Sequence, residues 1–274
     1  PDKAFRVVVI GDSYYEGIFN DMRDAVWNQA EARSAMMMGR PVEVIAASHH
    51  HAPFINSWSQ FTEYALKLEP DLVIISLIHP EILNFAIEDY VRDWLGFDPA
   101  HPPSAIFSLN SEGKLEMKEF DPEWQVHKKP LSEEEKARVR SEVQTIQYVR
   151  EDIENAPAWV QHNLDTVTAA FAKFGAEARS HGAELAIGYS AFEPNMNRIE
   201  DNPEFRKDTS LLRPRMKALA EKAGVTFLDL SKVIYEGHTA EDNLYIPADG
   251  HWSSYAHYRA GVALYDAISQ RVGD

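Results

Sequence analysis

Five short apolar runs, with little polar alternation, punctuate the chain: Arg6–Ile10 (RVVVI), Val42–Ala46 (VEVIA), Leu72–Ile78 (LVIISLI), Glu184–Tyr189 (ELAIGY) and Val225–Leu228 (VTFL). Unbroken β-branched runs of this length predict strands buried on both faces, as in a parallel sheet covered by helices. Between them the apolar spacing turns helical. Helices are expected over Ile18–Met38, Phe54–Leu68, Val160–Ser180, Leu211–Ala223 and Ser253–Arg271. In the first of these, Phe19, Met22, Val26 and Met37 are the candidate core positions. Pro41 closes that stretch, and Glu69-Pro70-Asp71 is a turn.

Strands that alternate with helices imply right-handed crossovers. The expected fold is therefore α/β: a three-layer α/β/α sandwich around a five-stranded parallel, flavodoxin-like sheet. The alternation lapses from about 80 to 158, where charge, Pro and Trp dominate and no clean strand is visible. Ser132 and Glu135 have capping-box spacing at the start of a helix. This stretch reads as a helical insertion forming a cap or lid on a single domain that spans 1–274.

Composition narrows the function. Of 274 residues, 45% are apolar and 26% charged, which suits a chain with a sizeable core. A net charge of −16 repels phosphate backbones, so nucleic acid is excluded as a partner. No apolar run is long enough to span a membrane. With no Cys there is neither disulfide nor thiolate chemistry. Position 1 is Pro rather than Met, so a trimmed start is expected, and any leader would have gone with it. The compartment is left open, with the periplasm or the exterior favoured over the cytoplasm.

The chemistry gathers at the two ends of the chain. Ligands of an open parallel sheet bind beyond the carboxyl ends of its strands. Gly11-Asp12-Ser13, followed by Gly17, falls just past the first strand and ahead of a helix. Ser13 is either a helix cap or a nucleophile. A serine nucleophile needs a base, and the base a carboxylate to orient it. Asp249 and His251 in Asp249-Gly250-His251-Trp252 lie before the last helix, at the same sheet edge. Either they are a satisfied surface pair or they complete a Ser13–His251–Asp249 triad.

Gly11-Asp12-Ser13 with Gly17 resembles the opening block of the SGNH (GDSL-type) hydrolases, and Asp249-Gly250-His251-Trp252 resembles their closing block. The resemblance covers both chain ends and the alternating scaffold, but not the insertion. It implies that Ser13 is the nucleophile, His251 the base and Asp249 its partner, with the Ser13 N–H as one oxyanion donor. The family commonly spaces Asp and His as D-x-x-H. The shorter D-x-H-W here is similar to polysaccharide O-acetyltransferases and acetylesterases related to the alginate-modifying proteins. Two further departures concern the oxyanion hole. The family's Gly after the second strand and its Asn after the third are replaced by Ala46-Ala47-Ser48-His49 and Ile78-His79-Pro80-Glu81. Loss of one such donor typically costs ~3 kcal/mol of transition-state stabilisation. Ser48 and His79 are candidate replacements because each follows a strand at that edge, and Asn56 is a third if its loop folds inward.

The reading that results is a serine-dependent esterase or acyltransferase working through an acyl-serine. The likeness points to O-acetyl groups on a carbohydrate or a small ester. Tyr14, His49, Trp94, Trp124 and Trp252 are candidates to contact that substrate. The alternative is a non-catalytic module of the same fold that binds a glycan or a partner protein. His49-His50-His51 is read as a polar loop, because adjacent side chains rarely converge on one metal. The dinucleotide fingerprint, the P-loop and the G-x-S-x-G elbow are absent from the sequence. No cofactor and no metal are expected.

Overall fold

The computed structural model describes residues 3–17, 20–37, 39–48, 57–77, 105–119, 132–135, 137–138, 158–190, 203–235, 243–246 and 251–272. Five strands form one parallel sheet: β1 (Phe5–Ile10), β2 (Val42–Ala46), β3 (Leu72–Leu77), β6 (Glu184–Tyr189) and β7 (Thr226–Asp229). Their order is β2-β1-β3-β6-β7, the doubly wound arrangement expected from the alternation. Val7, Val8, Val9 and Ile10 of the inner strand β1 are all fully buried, because successive side chains enter opposite cores. Val8 and Ile10 join Val73, Ile75, Leu185 and Ile187 on one face; Val7 and Val9 join Val44, Leu72, Ile74 and Ala186 on the other.

Helices complete the three layers. The first face is covered by α3, α4 (Ala158–Ser180) and α5 (Pro203–Lys222). Here α3 denotes residues 57–68, wound as an α turn, a wider π turn and a tighter 3-10 turn. α4 presents Val167, Phe171, Phe174 and Ala178 to the sheet at helical spacing. The second face carries α2 (Val26–Met37), α6 (Ser231–Tyr235) and α7 (Ser254–Val272). No helix among the described residues is long and apolar enough to cross a membrane.

Two sequence expectations are corrected. Of the helix expected over Ile18–Met38, the described residues show a 3-10 turn and then a helix only from Val26 to Met37. Gly17, with φ of 71°, closes a single-turn helix α1 (Ser13–Glu16). Asp21 then caps a 3-10 turn at Met22–Asp24, and extended Ala25 separates that turn from α2. α2 turns Val26, Ala30 and Ser34 inward and leaves Met37 68% exposed, and Met22, in the 3-10 turn, is 61% exposed; both were expected in the core. Phe19 lies outside the described residues.

The stretch expected to hold no strand contains an antiparallel hairpin, β4 (Ala105–Leu109) and β5 (Leu115–Glu119). Its turn is built by Asn110, whose side chain accepts the N–H groups of Glu112 and Lys114. Phe107 of β4 is fully buried against Trp58 and Phe174, which ties the hairpin to the first-face core. The expected capping box is present: the Ser132 N–H and hydroxyl both donate to Glu135, and the Glu135 N–H donates back to Ser132 Oγ.

Candidate active site

β1 ends at Ile10, and the chain turns through Gly11 and Asp12 into α1. Asp12 is the N-cap: its carboxylate accepts the Tyr14 N–H at 3.0 Å, and its carbonyl accepts those of Tyr15 and Glu16. Gly17 closes the turn by donating its N–H to Ser13 O at 3.3 Å. The motif's Asp and second Gly therefore have local structural tasks, and between them they hold Ser13 at the start of the turn. The Ser13 N–H makes no hydrogen bond among the described residues.

The partner comes from the far end of the chain. Residues 244–246 and 251–253 form a narrow antiparallel clasp. Ile246 donates to His251 O at 2.8 Å, Ser253 donates to Leu244 O at 2.9 Å, and Tyr245 bridges Trp252. Asn20 joins the two ends, donating to Trp252 O at 3.0 Å and accepting from Ser254 Oγ at 3.2 Å. Ser253 then caps α7, accepting the His257 N–H on its carbonyl.

This brings His251 Nε2 to 2.8 Å from Ser13 Oγ, across 238 positions of sequence. Both residues are half-buried. The separation lies within the ~2.6–3.2 Å reach of a general base. In the tautomer with its proton on Nδ1, the imidazole accepts the serine proton on Nε2.

Aromatic rings pack behind the pair. The Tyr14 ring centroid is 4.9 Å from that of His251. Trp252 is fully buried and meets Tyr14 and Tyr15 edge-on, each at 5.4 Å. Of the substrate-contact candidates from the sequence, Tyr14 is 5% exposed beside His251, and Trp252 is fully buried and bridged to Tyr245. Ser48 follows β2, and its hydroxyl is buried with no hydrogen-bond partner among the described residues. Asp249, His79, Asn56, His49, Trp94 and Trp124 lie outside the described residues.

Three residues with no signal in the motifs also belong to this region. Tyr15 donates to or accepts from Ser190 Oγ at 2.6 Å, with both residues buried. Burial pushes the Tyr15 hydroxyl up to about 12, against the opposing pull of its Ser190 bond. His257 stands edge-on to Trp252 with its ring centroid 5.6 Å away. Burial lowers its pKa to about 4; nearby Asp24 opposes the shift and His251 adds to it.

Solved structures share this architecture. A protein of Desulfitobacterium hafniense DCB-2, assigned to the G-D-S-L lipolytic family, superposes with a TM-score of 0.50 at 13% identity, over 98% of this chain and 99% of its own. The chain has the fold of GDSL (SGNH) hydrolases. A lipase/acylhydrolase from Enterococcus faecalis gives 0.50 at 14% identity, over 97% and 96% of the two chains. TesA gives 0.50 at 15% identity, over 97% and 98%. No protein-family model and no curated protein matches the sequence. In this GDSL-type fold, Ser13 and His251 lie beyond the carboxyl end of β1 and just ahead of α7.

Proposed function

We propose that the protein is a serine-dependent O-acyl esterase or acyltransferase of the GDSL type. The observation that carries this reading is the 2.8 Å hydrogen bond between Ser13 Oγ and His251 Nε2. Ser13 Oγ attacks the acyl carbonyl carbon as its proton passes to His251 Nε2. The tetrahedral intermediate collapses, and the leaving alkoxide takes the proton from His251. Water, or the hydroxyl of an acceptor, then attacks the acyl-serine with His251 again as base. Water gives an esterase and a sugar hydroxyl gives a transferase.

Asp249 is assigned to orient the His251 ring through Nδ1. The Ser13 N–H, which has no partner among the described residues, supports a role as oxyanion donor. Ser48 is the candidate second donor. The last pair of the β1–β2 register is Val9 with Ala46, and Ser48 follows β2 by two residues at the same sheet edge from which β1 leads to Ser13. A buried hydroxyl at that edge without a partner among the described residues supports the assignment. The substrate class, O-acetyl groups on a carbohydrate, rests on the likeness of the D-x-H-W block to polysaccharide acetyl-modifying proteins. His79 and Asn56 remain candidate donors, and His49, Trp94 and Trp124 remain candidate substrate contacts.

Turnover of an aryl acetate by the intact protein and by Ser13→Ala tests the reaction. Acetate release above the Ser13→Ala background is expected. Equal rates for the two proteins would favour the non-catalytic reading. Acetate release from an O-acetylated oligosaccharide, with and without a free sugar acceptor, then separates esterase from transferase.

A further inference from the structure

α1 is only one turn long, so no extended helix holds the nucleophile in place. Something else must fix its tilt, because the Ser13–His251 contact depends on it. Tyr15 lies two residues after Ser13 and is 1% exposed. Its ring folds back over Gly11: a Cβ on that glycine would stand 2.7–2.9 Å from three Tyr15 side-chain atoms. Only glycine leaves room for this approach. The ring also meets Trp252, the residue next to His251, edge-on. Its hydroxyl reaches Ser190 Oγ at 2.6 Å.

Ser190 is itself anchored. It directly follows β6 and is fully buried, and its N–H donates to Leu77 O at the end of β3 at 3.0 Å. The hydroxyl contact therefore ties the one-turn helix to the carboxyl ends of two sheet strands. The same ring touches the supports of both reacting side chains, Gly11 on the Ser13 side and Trp252 on the His251 side.

We propose that Tyr15 and Ser190 are a positioning pair that holds Ser13 in line with His251. This inference rests on the reading of Ser13 as nucleophile. Neither residue touches the reacting atoms. Their contribution is the orientation of a short element, where an error of about 1 Å can cost up to ~10²-fold in rate. Burial keeps the Tyr15 hydroxyl protonated well above neutral pH. The tie therefore stays intact across the pH range of the assay below.

The test uses the full chain with an aryl acetate, measuring kcat and KM from pH 5 to 9 beside the melting temperature. Tyr15→Phe and Ser190→Ala are each expected to lower kcat by about tenfold with KM unchanged. The factor should be the same at every pH, and the double variant should be no slower than the slower single one, because one contact is lost in all three. Labelling of Ser13 by a fluorophosphonate, normalised to folded protein, should slow in parallel and keeps the test informative if a variant is unstable. A lower melting temperature with unchanged kcat would overturn the proposal, as would additive losses in the double variant. A rate loss confined to one arm of the pH profile would make Tyr15 a proton donor and overturn it too. Wild-type protein that neither turns over the ester nor labels at Ser13 would instead overturn the nucleophile reading, and the pair's role with it.

Discussion

Ser48 is the residue on which the oxyanion question turns. Its hydroxyl is buried and has no partner among the described residues, which is an unfavourable state for a polar group unless another molecule completes it. If it donates to the oxyanion, Ser48→Ala should lower kcat on an aryl acetate by ~10²-fold or more while KM changes little. The variant should also fold at least as stably as wild type, because an unpaired buried hydroxyl is removed. Wild-type turnover in that variant would take Ser48 out of the site. The two ends of the Ser13–His251 contact were legible as candidates because each sits in a short motif beside a strand or helix boundary. Tyr15 was not legible, because a tyrosine after Gly-Asp-Ser gives no local sign of what its hydroxyl will reach.

The elements behind the site are held by close approaches that side-chain size controls. α2 and α7 cross at Gly261, where a Cβ would stand 2.5 Å from Gln29 Cβ and 3.1 Å from Val26 O. Backbone and a Cβ cannot swing aside, so the helices themselves must part. Gly261→Ala should therefore destabilise the fold by about 1–3 kcal/mol, read as a lower urea midpoint at unchanged slope. An unchanged midpoint would show that the two helices shift freely. The elements themselves were read well where they are long or apolar: Val42–Ala46 and Glu184–Tyr189 have the predicted bounds. The β4–β5 hairpin was missed because its strands are short and half-exposed. Asn110 and Gly113, with φ of 72° at the latter, carried a turn signal between them. The helix expected over Ile18–Met38 was overextended because apolar spacing ran on through Asp21 and Ala25, where the backbone leaves the helical region.

At the scale of the molecule, buried titratable groups set the pH range of stability. His257 has a folded pKa of about 4, below its ordinary 6.5. The unfolded chain therefore binds the proton more readily. Stability from this group is complete above pH 6.5 and is lost as pH falls toward 4. The whole effect is about 3 kcal/mol. Urea midpoints at pH 7 and pH 4.5 should differ less for His257→Phe than for wild type; an equal drop in both would sink the assignment. Tyr15 acts at the other end. Its folded pKa of about 12 exceeds the ordinary 10.0, so its contribution is complete below pH 10 and is lost as pH rises through 12. Alkaline unfolding should be shallower over that range in Tyr15→Phe.

By itself the sequence determined the alternation of strands and helices, the parallel sheet that follows from it, and the edge at which Ser13 and His251 would lie. Those properties are local: periodicity, β-branched runs and turn residues act within a few positions of one another, and right-handed crossovers convert them into one strand order. Only the tertiary structure decided which side chains meet. Ser13 and His251 are 238 positions apart, and Tyr15 and Ser190 are 175 apart. Their contacts depend on how β1 and β6 flank β3 and how the closing clasp turns Trp252 inward. No spacing along the chain encodes those distances, because they arise from the packing of elements that the local pattern leaves free to move.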